Sequence, residues 1–379
     1  MTVQMTSPRH ATWLELFFDL VVVAAVSQLT HLLVHPGGLN LAAFFTLYTA
    51  IWLIWTSFTV YSNVASERTR TRTMLLGMVG LAAMAAAVPE ATGAHAAVFA
   101  AAYLYTSGVA SKGLNRSGKM VMNWSAAQRN AGLLPWIAAF WADDPRYQLG
   151  LWALGVAMTL AGAMVVEADP ERMEQFQERM RQRAERSRRP VQDFEPSDLH
   201  GSHLGERLGL FVIIVLGEAV LQLVTAMGEV EWGWHQVAVG LTGFALLIGL
   251  WWLNFRFGFD EENTAQPRFL LVAHLVVVVS ITLVAFGLGR AAEHAADPLP
   301  ALERWLLCAA LALCLLLCAL SNRRWWGSVA AAAALALAAF GGSIPASVVV
   351  VGLAAATAAF VAYFGRPEEF GTAAGPEPV

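Results

Sequence analysis

Two carboxylates, Asp19 and Glu218, lie inside stretches that are otherwise apolar enough to cross a membrane. An ionised carboxylate at that depth costs about 2.5–3.5 kcal/mol on insertion scales, and such groups mark ion or substrate paths, proton relays or buried ion pairs. Glu15 precedes Asp19 by one helical turn on the same face, with Thr30 further along it. Two carboxylates so placed in a low-dielectric site raise each other's pKa, so that one is expected to be protonated near neutral pH, which makes a proton site one reading. The other is that Asp19 pairs with an arginine such as Arg207 or Arg72 and locks two parts of the molecule together.

Around Glu218, helical spacing puts His203, Arg207, Gln222 and Thr225 in one stripe, with Glu206 beside it. Lipid cannot hydrogen-bond such a stripe, so it must face protein or water. Arg207 and Glu218 are separated by roughly 16 Å along a helix axis, so each needs another partner. His274, early in a later apolar run, is a candidate relay or partner for Glu218. Its ordinary alternative is a hydrogen bond to a neighbouring helix.

Weaker patterns carry less chemistry. Gly113–Lys119 has the spacing of a phosphate loop, but Met120 stands where a magnesium-binding hydroxyl is needed and no strand precedes it. His203 and Glu206 form an H-x-x-E pair with no second pair to complete a metal site, so neither a metal nor another cofactor is expected. Asp143 and Asp144 have no companion aspartate cluster, and nothing resembles a nucleophilic triad, so no catalytic residue is named. Cys308, Cys314 and Cys318 fall in one apolar run and are expected as lipid-facing or packed thiols. Trp13, Trp52, Trp55, Trp251, Trp252, Trp325 and Trp326 are expected mainly in an interfacial aromatic belt. The similar places of Trp55 and Trp252 in their segments, with Tyr61, leave an aromatic pocket lining open.

The elements that must position these residues are membrane helices. The chain is 57% hydrophobic and 14% charged, against roughly a quarter charged in soluble domains. Runs of the roughly 20 residues that cross a bilayer recur at 12–34, 40–62, 73–89, 94–111, 126–142, 149–167, 208–227, 235–255, 269–289, 302–320, 325–341 and 346–364. The fifth is the weakest, because Gln128, Arg129 and Asn130 stand at its start. The first is too long for a signal-peptide core and carries two acids, so it is expected to remain as a span.

With twelve spans and a cytoplasmic N-terminus, most Lys and Arg fall on cytoplasmic segments, leaving Arg146, Arg290 and Arg304 outside. Asp169 to Ser202 is the sizeable soluble part, and residues 170–189 suit either a helix on an anionic inner leaflet or a solvated linker. ELFFDLVVVAAVSQL from Glu15 resembles ERLGLFVIIVLGEAVLQL from Glu206, and IWLIWTSFTVY resembles GLWWLNFRFGF. In this alignment Glu218 stands opposite Ser27 and Asp19 opposite Leu210. The expected fold is all-α, a polytopic membrane protein of about twelve transmembrane helices as two parallel six-helix repeats. The repeats cover 1–168 and 203–366, with a linker at 169–202 and a disordered C-terminal tail at 367–379.

RHATWLELFFDLVVVAAVSQL, the tryptophan pair and tyrosine followed by arginines, and HLGERLGLFVIIVLGEAV together resemble the bacterial low temperature requirement A family. The resemblance spans Arg9 to about Arg290. Arg9, Glu15, Asp19, Tyr61, His203, Glu206, Arg207 and Glu218 match positions of that family's pattern, while NVASER after Tyr61 lacks the aspartates it carries there. What the resemblance implies is a multi-pass protein of the bacterial inner membrane, with both termini cytoplasmic here by the charge rule; it supplies no substrate.

The leading expectation is a transporter or permeation protein whose polar path is lined by Glu15, Asp19, His203, Glu206, Arg207, Glu218, Gln222 and His274. Second comes a membrane-embedded enzyme for a lipid or isoprenoid, using His203, Glu206 and Glu218. Third is a non-catalytic stress-related membrane factor. The bilayer is the expected partner and nucleic acid is not; the small molecule or ion and the oligomeric state are not specified by the residues.

Overall fold

The computed structural model describes residues 10–34, 37–65, 69–121, 132–165, 178, 195–257, 266–321 and 326–364. The chain divides into two compact units, the first formed by Met1–Leu221 with Gly258–Phe286 and the second by Gln222–Phe257 with Gly287–Val379. Among the described residues the protein is helical apart from one three-residue strand pair. Nine of the described helices are long and apolar enough to cross a membrane.

In the first unit, α1 (Trp13–Leu29) starts at a capping box. The Thr12 hydroxyl accepts from the Glu15 amide at 3.3 Å, and Glu15 Oε2 accepts from the Thr12 amide at 2.8 Å. This satisfies two of the amide groups that every helix start leaves without intrahelical partners. A single turn, α2 (His31–Val34), follows, then α3 (Gly38–Ala65), whose face from Ala43 onward is almost wholly buried. Helix α4 (Thr71–Ala87) packs on α1 and on α5 (Ala96–Ser117). The approach to α5 is close enough that a Cβ at Gly80 would run into the Thr106 hydroxyl.

Gly118 ends α5 in the left-handed region, φ 70°, where a residue without Cβ is unstrained. The Gly113–Lys119 segment is therefore a helix C-terminus. Strand β1 (Lys119–Val121) then pairs in parallel with β2 (Glu195–Ser197), and Lys119 Nζ meets Glu195 Oε2 at 2.6 Å. Between the strands in sequence lie α6 (Leu133–Ala138) and α7 (Pro145–Val165). Asp144 Oδ1 accepts from the Arg146 amide at 2.7 Å, which gives that aspartate a local role at the start of α7.

Helices α8 (Gly201–Gly228) and α10 (Pro267–Glu293) contribute their first parts to this unit. Of the expected fifth span, the described part is α6 and a 3-10 turn at Ala139–Trp141, and residues 122–131 lie outside the described residues. The expectations for 170–189 and 367–379 also lie outside them.

The second unit packs α9 (Trp234–Phe257) on α13 (Ala346–Phe364), and α11 (Ala301–Ser321) on α12 (Trp326–Phe340). Cys308, Cys314 and Cys318 are buried along α11 as packed thiols. Arg304, buried in this unit, donates through Nε to the Ala338 carbonyl at 2.8 Å and through Nη1 to the Leu299 carbonyl at 2.9 Å. Those bonds satisfy carbonyls at helix ends and in the adjoining loop, where a cation also complements the C-terminal dipole of α12.

Candidate functional site

Glu15, Asp19, His203, Arg207 and His274 are all at most 1% exposed, and all belong to the first unit. Two acids and an arginine inside a helical protein need specific partners, because each buried ion forfeits several kcal/mol of hydration. The partners come from different helices in each case.

Glu15 spends Oε2 on its own helix start, accepting from the Thr12 amide and, at 2.9 Å, from the Thr12 hydroxyl. Its other oxygen, Oε1, lies 3.4 Å from Nε2 of His203 on α8. The far side of that imidazole meets α3, where Asn63 Nδ2 stands 3.2 Å from His203 Nδ1. Asn63 also grips the peptide of His200, donating to its carbonyl at 3.1 Å and accepting from its amide at 2.9 Å. The start of α8 is thus hydrogen-bonded to the end of α3.

Asp19, one turn further along α1, makes a separate cluster. Its Oδ1 accepts from Arg207 Nη2 at 2.7 Å and from Trp55 Nε1 at 2.7 Å. The Trp55 ring stacks on His274, with centroids 4.9 Å apart and planes 19° from parallel, and tilts against Phe211. His274 Nδ1 in turn accepts from Trp52 Nε1 at 3.2 Å, so a neutral His274 carries its proton on Nε2. Among the described residues no protein group hydrogen-bonds Arg207 Nε, Arg207 Nη1 or Asp19 Oδ2, although all three are buried. An arginine that uses one of five N–H donors is under-satisfied as a structural group, and such groups need explanation.

Glu218 is half-buried further along α8 and accepts from the Ser27 hydroxyl at 2.6 Å. Ser27 and Glu218 are the positions that the internal alignment sets opposite each other. Glu15 and Glu206 are also aligned, and they behave reciprocally. Glu15 reaches His203 on α8, while Glu206 accepts from the Ala11 amide at 3.0 Å and lies 3.5 Å from His10, just before α1. From Glu15–His203 through Asp19–Arg207 to Ser27–Glu218 the contacts advance in the same direction along both helices, so α1 and α8 run parallel over this stretch.

The profile of the family described as bacterial low temperature requirement A protein, LtrA, matches residues 10–368. The chain belongs to the LtrA family. A relative, an uncharacterized protein of Rhizobium meliloti (strain 1021), is 26% identical over 325 residues, covering 76% of this chain and 71% of that protein. No solved structure matches the chain. Family membership together with the long apolar helices makes this a multi-pass membrane protein.

Of the residues that sequence singled out in this LtrA-family chain, six converge through the contacts above: Glu15, Asp19, His203, Arg207 and His274 in the buried set and Trp55 across it. Glu206 and Glu218 join α1 to α8 on either side of it in sequence. Tyr61 is buried, and its hydroxyl accepts from the Arg70 amide at 2.9 Å, which ties α3 to the residue before α4. Gln222 and Trp252 belong to the second unit.

Glu15 takes donors from Thr12, and Asp19 from Trp55 and Arg207. Glu218 accepts from Ser27, and His274 meets the second of its two readings, a hydrogen bond with a neighbouring helix, through Trp52. One expectation changes. Trp52 and Trp55 are core residues, not belt residues, because α3 continues to Ala65 and carries both rings well inside the helix. Sequence reasoning missed Ser27, Trp52, Asn63 and Phe211. The pairing of Ser27 with Glu218 in the repeat alignment was an available signal for the first of these. Among the described residues no group of three or more His, Cys, Asp or Glu could hold a metal ion.

Proposed function

We propose that this LtrA-family protein moves a small cation, the proton included, across the membrane along the buried polar residues of α1, α3, α8 and α10. The observation that carries the reading is the under-satisfied, fully buried Asp19–Arg207 pair with Glu15 and His203 one turn away. Two carboxylates share that interior with a single guanidinium. A negative interior at membrane depth attracts cations and repels anions. Glu218, half-buried beyond the pair, extends the acidic character along α8.

The architecture proposed around this path is twelve spans in two parallel six-helix repeats, 1–168 and 203–366, in a bacterial inner membrane with both termini cytoplasmic. Supporting the repeat are the hydrogen bond between the aligned residues Ser27 and Glu218 and the reciprocal contacts of the aligned glutamates. Residues 170–189 are proposed to lie against the anionic inner leaflet through their arginines.

Purified full-length protein in liposomes tests the reading. Dissipation of an imposed proton or potassium gradient, with a chloride gradient left standing, is the expected result. Chloride permeation, or tightness to all three ions, overturns it.

A further inference from the structure

We infer that Asn63 is a positioning residue that decides which nitrogen of His203 carries the proton and so turns the protonated edge of the ring to Glu15. The two ends of the Asn63 amide are told apart by what they touch. Oδ1 accepts from the amide of His200 at 2.9 Å, and Nδ2 donates to the carbonyl of the same residue at 3.1 Å. Reversing the amide would set oxygen against carbonyl oxygen and NH₂ against N–H, so this two-point contact admits one orientation.

The second hydrogen on Nδ2 is then directed to His203 Nδ1, 3.2 Å away. An NH₂ group only donates, so Nδ1 is the acceptor and the ring proton resides on Nε2. Nε2 faces Glu15 Oε1 at 3.4 Å. Asn63 thus donates to His203, and the protonated Nε2 edge of the ring is turned to Glu15 at contact distance without a formed hydrogen bond. The other charged side chains of the buried set are Arg207, one turn along α8, and its partner Asp19.

Among Glu15, Asp19 and Arg207, two carboxyl groups stand against one guanidinium, and the Nε2 proton is turned to the carboxyl group that the guanidinium does not hold. This deepens the cation reading and rests on it only for the meaning of that excess of acid; the tautomer follows from the hydrogen bonds of Asn63 alone.

The test is nitrogen-15 NMR of histidine-labelled full-length protein in lipid nanodiscs near neutral pH, with the His203 signals assigned by their loss in His203→Gln. The expected wild-type pattern is a bare Nδ1 and a protonated Nε2, and Asn63→Asp is expected to move a proton onto Nδ1. A protonated Nδ1 in the wild type, or an unchanged pattern in folded Asn63→Asp, overturns the inference. The wild-type spectrum decides by itself if the variant does not fold. A protein that conducts cations but has a protonated Nδ1 would lose this inference and keep the proposed function.

Discussion

Arg207 in the first unit and Arg304 in the second are both deeply placed cations, and they are satisfied in opposite ways. Arg304 gives Nε and Nη1 to backbone carbonyls and, with its side chain against Gly341 and Gly342, seals a helix end. Arg207 gives one nitrogen to Asp19 and leaves Nε and Nη1 without a hydrogen bond among the described residues. Arg304 is bonded to groups that cannot change charge, whereas Arg207 is paired with one that can. The proposed cation path draws on that difference, with Arg207 beside the path and Arg304 as fold support.

Substitutions can break that contrast, and the largest effect is expected at Arg207. Arg207→Met removes one partner of a buried pair and leaves Asp19 uncompensated, a loss of about 3–5 kcal/mol. The protein should show a steep fall in thermal stability in detergent, or fail to accumulate folded; unchanged stability would mean that the pair is not an ion pair. Arg304→Met should cost less, roughly 1–3 kcal/mol, because it abandons neutral carbonyls and not a charge. Its cation flux should remain, and loss of flux in stably folded Arg304→Met would erase the distinction between the two units.

Trp55→Phe keeps an aromatic ring on His274 but withdraws the N–H from Asp19. A loss of about 1.5–3 kcal/mol is expected for a hydrogen bond to a charged group, read by the same unfolding assay. The smallest effect belongs to Ser27→Ala. The Ser27–Glu218 bond links two membrane helices, and such bonds average about 0.6 kcal/mol. A much larger destabilisation would show that Glu218 depends on Ser27 as its principal partner.

The helices were legible in the sequence because hydropathy over membrane-length windows is a strong signal. The run at 40–62, for example, is the core of Gly38–Ala65. The charged members of the site were also legible, since Glu15, Asp19 and Arg207 are conspicuous in apolar surroundings. Their partners were not. Asn63, Ser27 and Trp52 are ordinary polar or aromatic residues, and only the crossing of α1, α3, α8 and α10 gives each its acceptor or donor. The tryptophans misled for a physical reason, because Trp near the end of an apolar run usually marks the bilayer interface, and helix α3 extends past that run. Sequence spacing along α8 excluded a direct Arg207–Glu218 pair, but spacing within one helix cannot say which other helix supplies the counter-charge.

The most direct measurement compares cation flux through wild type, Asp19→Asn and Glu218→Gln in liposomes, each variant first matched for folding by thermal unfolding. Asp19→Asn keeps the Oδ1 acceptor for Trp55 and Arg207 while deleting the charge. Wild-type flux that disappears in Asp19→Asn and falls in Glu218→Gln is the predicted result. Flux of equal size in all three proteins would contradict the claim that these buried carboxylates line the path.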